Sequence, residues 1–373
     1  MSKLNRKKFV KGLAIGALGL PFALRSLGVR KELASQNTKS SFEKTYEWKM
    51  VTTWPPDFPV LGEGCNLFAE YVDIMSNGRL KIKVYGAGEL APALGAFDTV
   101  QSNGAEAGSG VSYYWAGKIP SAQFFGSVPF GMNAQQVNAW LYCGGGLELW
   151  QEIYAEHGLV PMVGGNTGVQ MGGWFNKEIN TLKDLKGLKM RMPGLGGKVL
   201  EKAGGSPILL AGNELYTGLE RGVIDATEWI GPYHDYKMGF YQIAKYYYTP
   251  GWHETGAILE FFFNKKQFDN LPKDLQSILE HAAARINHWM LCEFEAQNAY
   301  YLKLMVNEHG VQLRNFPDEV LAAFKGYTAE VIDELTQKDA FSKKVYESYR
   351  TFQQEINYWS AKTEQPFYNT LMH

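Results

Sequence analysis

Apolar and polar residues change their period repeatedly along this chain. Residues 46–53 read as a first strand that runs into Trp54-Pro55-Pro56. Residues 62–75 place apolar side chains at helical spacing, and Gly78 closes that stretch. Residues 80–85 alternate Leu-Lys-Ile-Lys-Val-Tyr, which predicts a strand with one wet face. Residues 89–101 predict a helix, and residues 105–112 a short Gly-rich strand. Further on, 159–163, 171–175, 189–192, 226–230, 246–250 and 259–264 read as strands. Residues 196–203 and 214–221 read as helices, and 182–185 as a single helical turn. Strands alternating with helices imply parallel βαβ units and an α/β fold.

The pattern changes after residue 272. Residues 273–309 contain neither Pro nor Gly, and Leu275, Ile278, Leu279, Ala282, Ile286, Trp289, Met290 and Leu302 keep helical spacing. At 1.5 Å per residue such a helix is roughly 55 Å long, wider than one small lobe. It is expected to cross two lobes or reach out to a partner. Pro317 opens another helix, where its fixed φ suits a first turn. Residues 339–362 read as a further, charged helix.

The first 35 residues read as an export signal. Lys3, Arg6, Lys7, Lys8 and Lys11 form a basic start, followed by an apolar run over 12–24 that is too short to span a bilayer. Asn5-Arg6-Lys7-Lys8-Phe9-Val10-Lys11 resembles the twin-arginine export pattern, with Lys7 where the second arginine is usual. Ala34 is a weak candidate for cleavage, and residues 35–45 read as an unstructured polar connection. The chain has 373 residues, 45% of them hydrophobic, which suffices for one large core or two. A net charge of −1 without a basic stripe argues against nucleic acid. Cys65, Cys143 and Cys292 have no metal-like spacing. No disulfide framework is expected, and the three read as small buried apolar residues.

Four segments combine Gly, Trp and isolated polar residues: 54–56, 166–174, 189–197 and 226–232. Each follows or ends a predicted strand, where ligands bind in open α/β sheets. Arg191 lies between Met190 and Met192 and needs an acceptor; its planar fork matches a carboxylate, of a ligand or of a protein acid. Glu228 and Glu254 are the acids expected to point inward. They suit an acid/base pair, as in a secreted hydrolase, or hard-cation ligands beside Gln170 and a backbone carbonyl. No nucleophile elbow, zinc-binding His-Glu-x-x-His or phosphate loop accompanies them. His157, His234, His253 and His281 have no ligand spacing and read as structural.

Longer stretches resemble the solute-binding proteins of tripartite ATP-independent periplasmic (TRAP) transporters, in the branch for 2-oxo acids such as pyruvate and for lactate. They include Tyr85-Gly86-Ala87-Gly88-Glu89-Leu90, Tyr113-Tyr114-Trp115-Ala116-Gly117-Lys118, Val128-Pro129-Phe130-Gly131-Met132 and residues 165–175. Residues 189–197, 225–232, Tyr246-Tyr247-Tyr248 and Pro250-Gly251-Trp252-His253-Glu254 continue the match, which runs from about Trp48 to about Phe316. Ser109 stands where a His is common, and Ala211-Gly212-Asn213 replaces a Pro-Gly-Gly type of turn.

The resemblance implies an extracytoplasmic binding protein, not an enzyme, that captures a 2-oxo or 2-hydroxy monocarboxylate and delivers it to TRAP membrane subunits. It implies that Arg191 pairs with the substrate carboxylate, that Asn166 hydrogen-bonds the substrate, and that Tyr113 or Tyr114 walls the pocket. Gln170, Glu228, the Trp229 carbonyl and Glu254 would hold a sodium or calcium ion that bridges to the substrate. The implied fold is periplasmic binding protein type II-like: two α/β lobes with hinge strands, a long lobe-spanning helix and a C-terminal helical extension. Lobe I would take 46–165 with 252–272, lobe II 166–251, the long helix 273–310, and the extension 311–373, which could join a second copy in a homodimer.

Overall fold

The computed structural model describes residues 44–371, so the expected export signal lies outside the described residues. The chain runs β1 (Tyr46–Thr52), α1 (Leu61–Met75), β2 (Leu80–Tyr85), α2 (Ala96–Gln101), β3 (Ala107–Gly110), α3 (Ala134–Cys143), α4 (Gly146–Ala155) and β4 (Leu159–Asn166). It continues through β5 (Gly173–Phe175), β6 (Lys189–Arg191), α5 (Gly194–Lys202), β7 (Ser206–Ile208), α6 (Leu215–Glu220), β8 (Ala226–Thr227), α7 (Pro232–Met238), β9 (Tyr246–Thr249) and β10 (Ile258–Asn264). The last elements are α8 (Lys273–His309), β11 (Gln312–Asn315), α9 (Asp318–Lys338), α10 (Ala340–Ser360) and α11 (Glu364–Leu371).

The strands form two sheets, ordered β2-β1-β3-β10-β4 and β11-β9-β5-β8-β6-β7. In the first, β1 pairs in parallel with β2 and β3, from Tyr46 opposite Leu80 to Thr52 opposite Ser109. β10 then runs antiparallel between β3 and β4. In the second sheet, β5 is antiparallel to both β8 and β9, while β6 runs parallel to β7 and β8. The expectation of parallel βαβ units therefore holds only in part, and both sheets are mixed. The chain leaves the first sheet after β4, builds most of the second, and returns as β10 from the other end. Hydrophobic periodicity does not record the direction of such a returning strand.

Close packing explains the small residues of β3. A Cβ on Gly108 would lie 2.4 Å from the Phe262 ring on β10. The helix expected over 89–101 begins only at residue 93, after Pro92, because the Glu89 side chain is already engaged as acceptor of the Gly86 N–H at 2.7 Å. The strand expected over 226–230 ends at Thr227, and Glu228 to Ile230 leave the sheet. Of the cysteines, Cys65 is buried, whereas Cys143 and Cys292 are exposed on α3 and α8, contrary to the apolar-core expectation.

α8 has 37 residues and packs against β4 and α1 beside the first sheet and against α7 beside the second. α9 packs on α5, and α10 packs on α3 and α4. Val331, Ile332, Val345 and Tyr349 are buried in these contacts, so both helices belong to the core. No helix among the described residues is long and apolar enough to cross a membrane.

Candidate functional site

The loops that leave β1, β3, β4, β6 and β8 converge on one cavity. Its walls include Trp54, Tyr113, Tyr114, Thr167, Gln170, Arg191, Trp229 and Glu254, and its apolar side is made by Leu61, Val111, Ile230, Ala257 and Leu259. The empty space between these side chains, including the part open to solvent, is about 290 Å³. It therefore fits a molecule of a few heavy atoms. Six of the expected site residues line it. Asn166 and Glu228 do not, although both are fully buried.

Arg191 ends β6 with 1% of its surface exposed. One terminal nitrogen forms a buried ion pair with Glu228. The other donates to the Tyr114 hydroxyl at 3.1 Å, and Nε donates to the Leu210 carbonyl at 3.3 Å. The guanidinium carbon lies 5.2 Å from the centre of the Trp229 ring, a cation–π arrangement. Burial opposes the charge of Arg191, but Glu228 and the two tyrosines more than offset it and keep the group protonated. The alternative acceptor considered for Arg191, a protein acid, is therefore present in the form of Glu228.

Glu228 keeps its second oxygen, Oε2, without a hydrogen-bond partner, and His253 Nε2 stands 3.4 Å from it. Glu254 accepts from Gln170 Nε2 at 2.7 Å. Burial raises the Glu254 carboxyl well above the ordinary carboxylate range, and the nearby Glu228 charge raises it further against the opposing effect of Arg191. Gln170 Nε2 also lies 3.1 Å from the Thr167 hydroxyl, while Gln170 Oε1 has no partner. Asn166 Oδ1 caps the turn by accepting from the Gly168 N–H at 2.8 Å, which leaves its Nδ2 unpaired.

Orphaned polar atoms are rare in folded chains and ask for an explanation. Here two unpaired oxygens, Gln170 Oε1 and Glu228 Oε2, accompany an acid whose burial disfavours its charge. All are hard oxygen donors, so the residues present fit a sodium or calcium ion. Among the described residues no group of three or more His, Cys, Asp or Glu could hold a metal, so an ion here would draw on an amide or backbone oxygen as well.

The apolar wall carried no signal in the sequence, because Leu61, Val111, Ala257 and Leu259 look like any core residue. Ser109 and Gly212, the middle glycine that the turn at 211–213 keeps, lie behind the site. The Ser109 hydroxyl lies 3.4 Å from Trp54 Nε1, and a Cβ on Gly212 would sit 2.7 Å from the Trp229 ring.

The family model described as bacterial extracellular solute-binding protein, family 7 (DctP), matches residues 50–339. The monocarboxylate 2-oxoacid-binding periplasmic protein of Nostoc sp. is 42% identical over 322 residues, covering 86% of this chain and 88% of that protein. A TRAP periplasmic solute-binding protein from Colwellia psychrerythraea, solved with calcium and pyruvate bound, superimposes with a TM-score of 0.85 at 43% identity, over 88% of this chain and 100% of that one. Another from Pseudoalteromonas atlantica, with sodium and pyruvate bound, gives 0.86 at 44% identity over the same shares.

Proposed function

This chain belongs to the bacterial extracellular solute-binding protein family 7, and from that premise we propose that it captures a pyruvate-like 2-oxo or 2-hydroxy monocarboxylate in the periplasm and delivers it to TRAP membrane subunits. Members of this family bind and hand over solutes; they are not enzymes. The hydrolase alternative for Glu228 and Glu254 finds no support.

The observation that carries the reading is a buried guanidinium, paired directly with the buried Glu228, that shares with the buried Glu254 a cavity of a few atoms' width. The substrate carboxylate would take the place of the Tyr114 hydroxyl on Arg191, while Glu228 holds the guanidinium in plane. Asn166 Nδ2 is unpaired and available as a donor to the substrate. Tyr113 and Tyr114 wall the pocket, and the apolar side receives the short alkyl part. Gln170, Glu228, the Trp229 carbonyl and Glu254 would hold the ion; Gln170 would first turn its amide so that Oε1 faces inward. A bound sodium or calcium ion would reverse the repulsion that two glutamates exert on an incoming anion.

In this reading residues 46–165 with 252–272 and residues 166–251 form two lobes that close on the ligand. Twin-arginine export and a homodimer through the C-terminal helices complete the proposal. Calorimetry of the native chain with pyruvate, 2-oxobutyrate and lactate, each with sodium or calcium, tests it. One ligand bound per chain without turnover is expected. Failure to bind any of these acids in either ion would overturn the reading.

A further inference from the structure

We infer that His234 is a positioning residue for capture: it holds Trp229 against Arg191 and ties that pair across the cleft to the Pro59 carbonyl. Residues 53–60 link β1 of the first sheet to α1, whereas His234 lies on α7, which follows β8 of the second sheet. His234 is fully buried. Trp229 Nε1 donates to His234 Nδ1 at 2.6 Å, and His234 Nε2 lies 2.7 Å from the Pro59 carbonyl oxygen. An indole nitrogen only donates and a carbonyl only accepts. These two partners fix the ring as the neutral tautomer with its hydrogen on Nε2. The hydrogen-bond relay therefore runs in one direction, from Trp229 through His234 to Pro59.

The surroundings make the tie specific. Phe58 stands edge-on to the His234 ring at 4.6 Å and to the Trp229 ring at 6.2 Å. On either side of Phe58-Pro59, Asp57 and Val60 sit at φ 53° and 58°, in the left-handed region that a β-branched residue rarely adopts. Such a conformation persists where its surroundings hold it: the Pro59 carbonyl between those two residues accepts from the Leu61 N–H at 2.6 Å, which closes the turn at Val60, and from His234 Nε2 as well. A flat ring with an acceptor on one side and a donor on the other is required, and among the side chains only neutral imidazole supplies both rigidly. The relay forms as the two sheets' loops approach, so it stabilises the closed, ligand-holding arrangement without touching the ligand.

This assignment rests on the reading of the cavity as a closing carboxylate site, and the experiment separates the two. Full-length chain labelled with ¹⁵N is titrated with pyruvate in sodium and in calcium. Long-range ¹H–¹⁵N spectra of the His234 ring should show the Nε2–H tautomer, protected from exchange, only once pyruvate is bound. In parallel, His234→Phe fills the same space without the relay and should release pyruvate about tenfold faster, the loss of roughly one hydrogen bond, with little change in association. His234→Gln carries an acceptor and a donor and should recover part of that loss. A native chain that binds no 2-oxo acid overturns the reading of the cavity and this assignment with it. A native chain that binds pyruvate while the His234 signals stay unchanged overturns the assignment alone. So does a folded His234→Phe that retains the native release rate, or one that His234→Gln does not improve upon.

Discussion

Arg191 makes three kinds of contact that a lysine cannot copy together: the Glu228 pair, the Tyr114 bond and the face of Trp229. Arg191→Lys leaves Glu228 a charged partner, so the fold should persist. Affinity for pyruvate should fall by about 2–5 kcal/mol, as for other damaged buried charge pairs, and calorimetry beside a thermal melt reads both. Glu254→Gln distinguishes an ion from plain electrostatics. If no ion takes part, the substitution should leave anion binding unchanged or tighter, since burial already disfavours the Glu254 charge, but it should weaken binding if Glu254 helps to hold an ion. Substrate titrations in sodium, in calcium and after exhaustive chelation decide the sign. Equal affinity in all of them would leave both glutamates structural.

Glu260 offers a third test at this scale. Trp115 Nε1 donates to its Oε1 at 2.5 Å, and Oε2 has no partner. Burial pushes the carboxyl from 4.5 up to about 8, against the hydrogen bond from Trp115. The folded chain therefore keeps a proton that the unfolded chain has lost between those values. The stability contributed by this group is full below about pH 4.5 and is lost as pH rises through about 8. Asp235, pushed up to about 7 by burial, acts in the same direction. Glu260→Gln should flatten the fall in unfolding free energy between pH 5 and 8 by on the order of 1–3 kcal/mol. Urea melts at several pH values measure it, and an unaltered slope would refute the assignment.

Among the elements, the C-terminal helices do two jobs that lie at different depths. Phe324 on α9 stacks on Trp252 at 4.2 Å, and Phe130 stacks on the same Trp252 at 5.8 Å. The Tyr349 hydroxyl on α10 accepts from the Met132 N–H at 2.8 Å. These contacts support the segment that carries Glu254. Cutting after Asn315 would strip them away and destabilise the whole chain. The end of α10 and α11 instead exposes Tyr358, Trp359, Phe367 and Tyr368. An exposed aromatic cluster of this kind fits an interface with a second copy. Truncation after residue 357 removes all four and should then convert a dimer to a folded monomer by light scattering. A full-length chain that is already monomeric at micromolar concentration would reject the dimer.

At the scale of the whole molecule, the cavity lies where loops of both sheets meet, and α8, α9 and α10 each pack against parts of the chain beside them. A ligand held between two such parts commonly closes them by a hinge. Small-angle scattering should give a smaller radius of gyration with pyruvate at saturation than without it. Superimposable profiles would argue for a preformed site.

The sequence by itself determined the elements whose pattern is long or strongly periodic. It predicted β2 and the 37-residue α8 with the bounds they have, because alternation and an uninterrupted helical period are local properties. It also placed Arg191, Gln170, Trp229 and Glu254 together, since long ordered stretches carry a resemblance that single residues do not. Tertiary structure decided the rest. β11 has four residues and is a strand only because β9 lies beside it. The antiparallel course of β10 depends on where the chain re-enters the first sheet. That Glu228 is Arg191's partner, and that His234, which reads as merely structural, bridges Trp229 to Pro59, follows from contacts across 37 and 175 residues of sequence. Periodicity records which way a side chain faces, whereas hydrogen-bond partners are chosen by the packing that brings distant segments together.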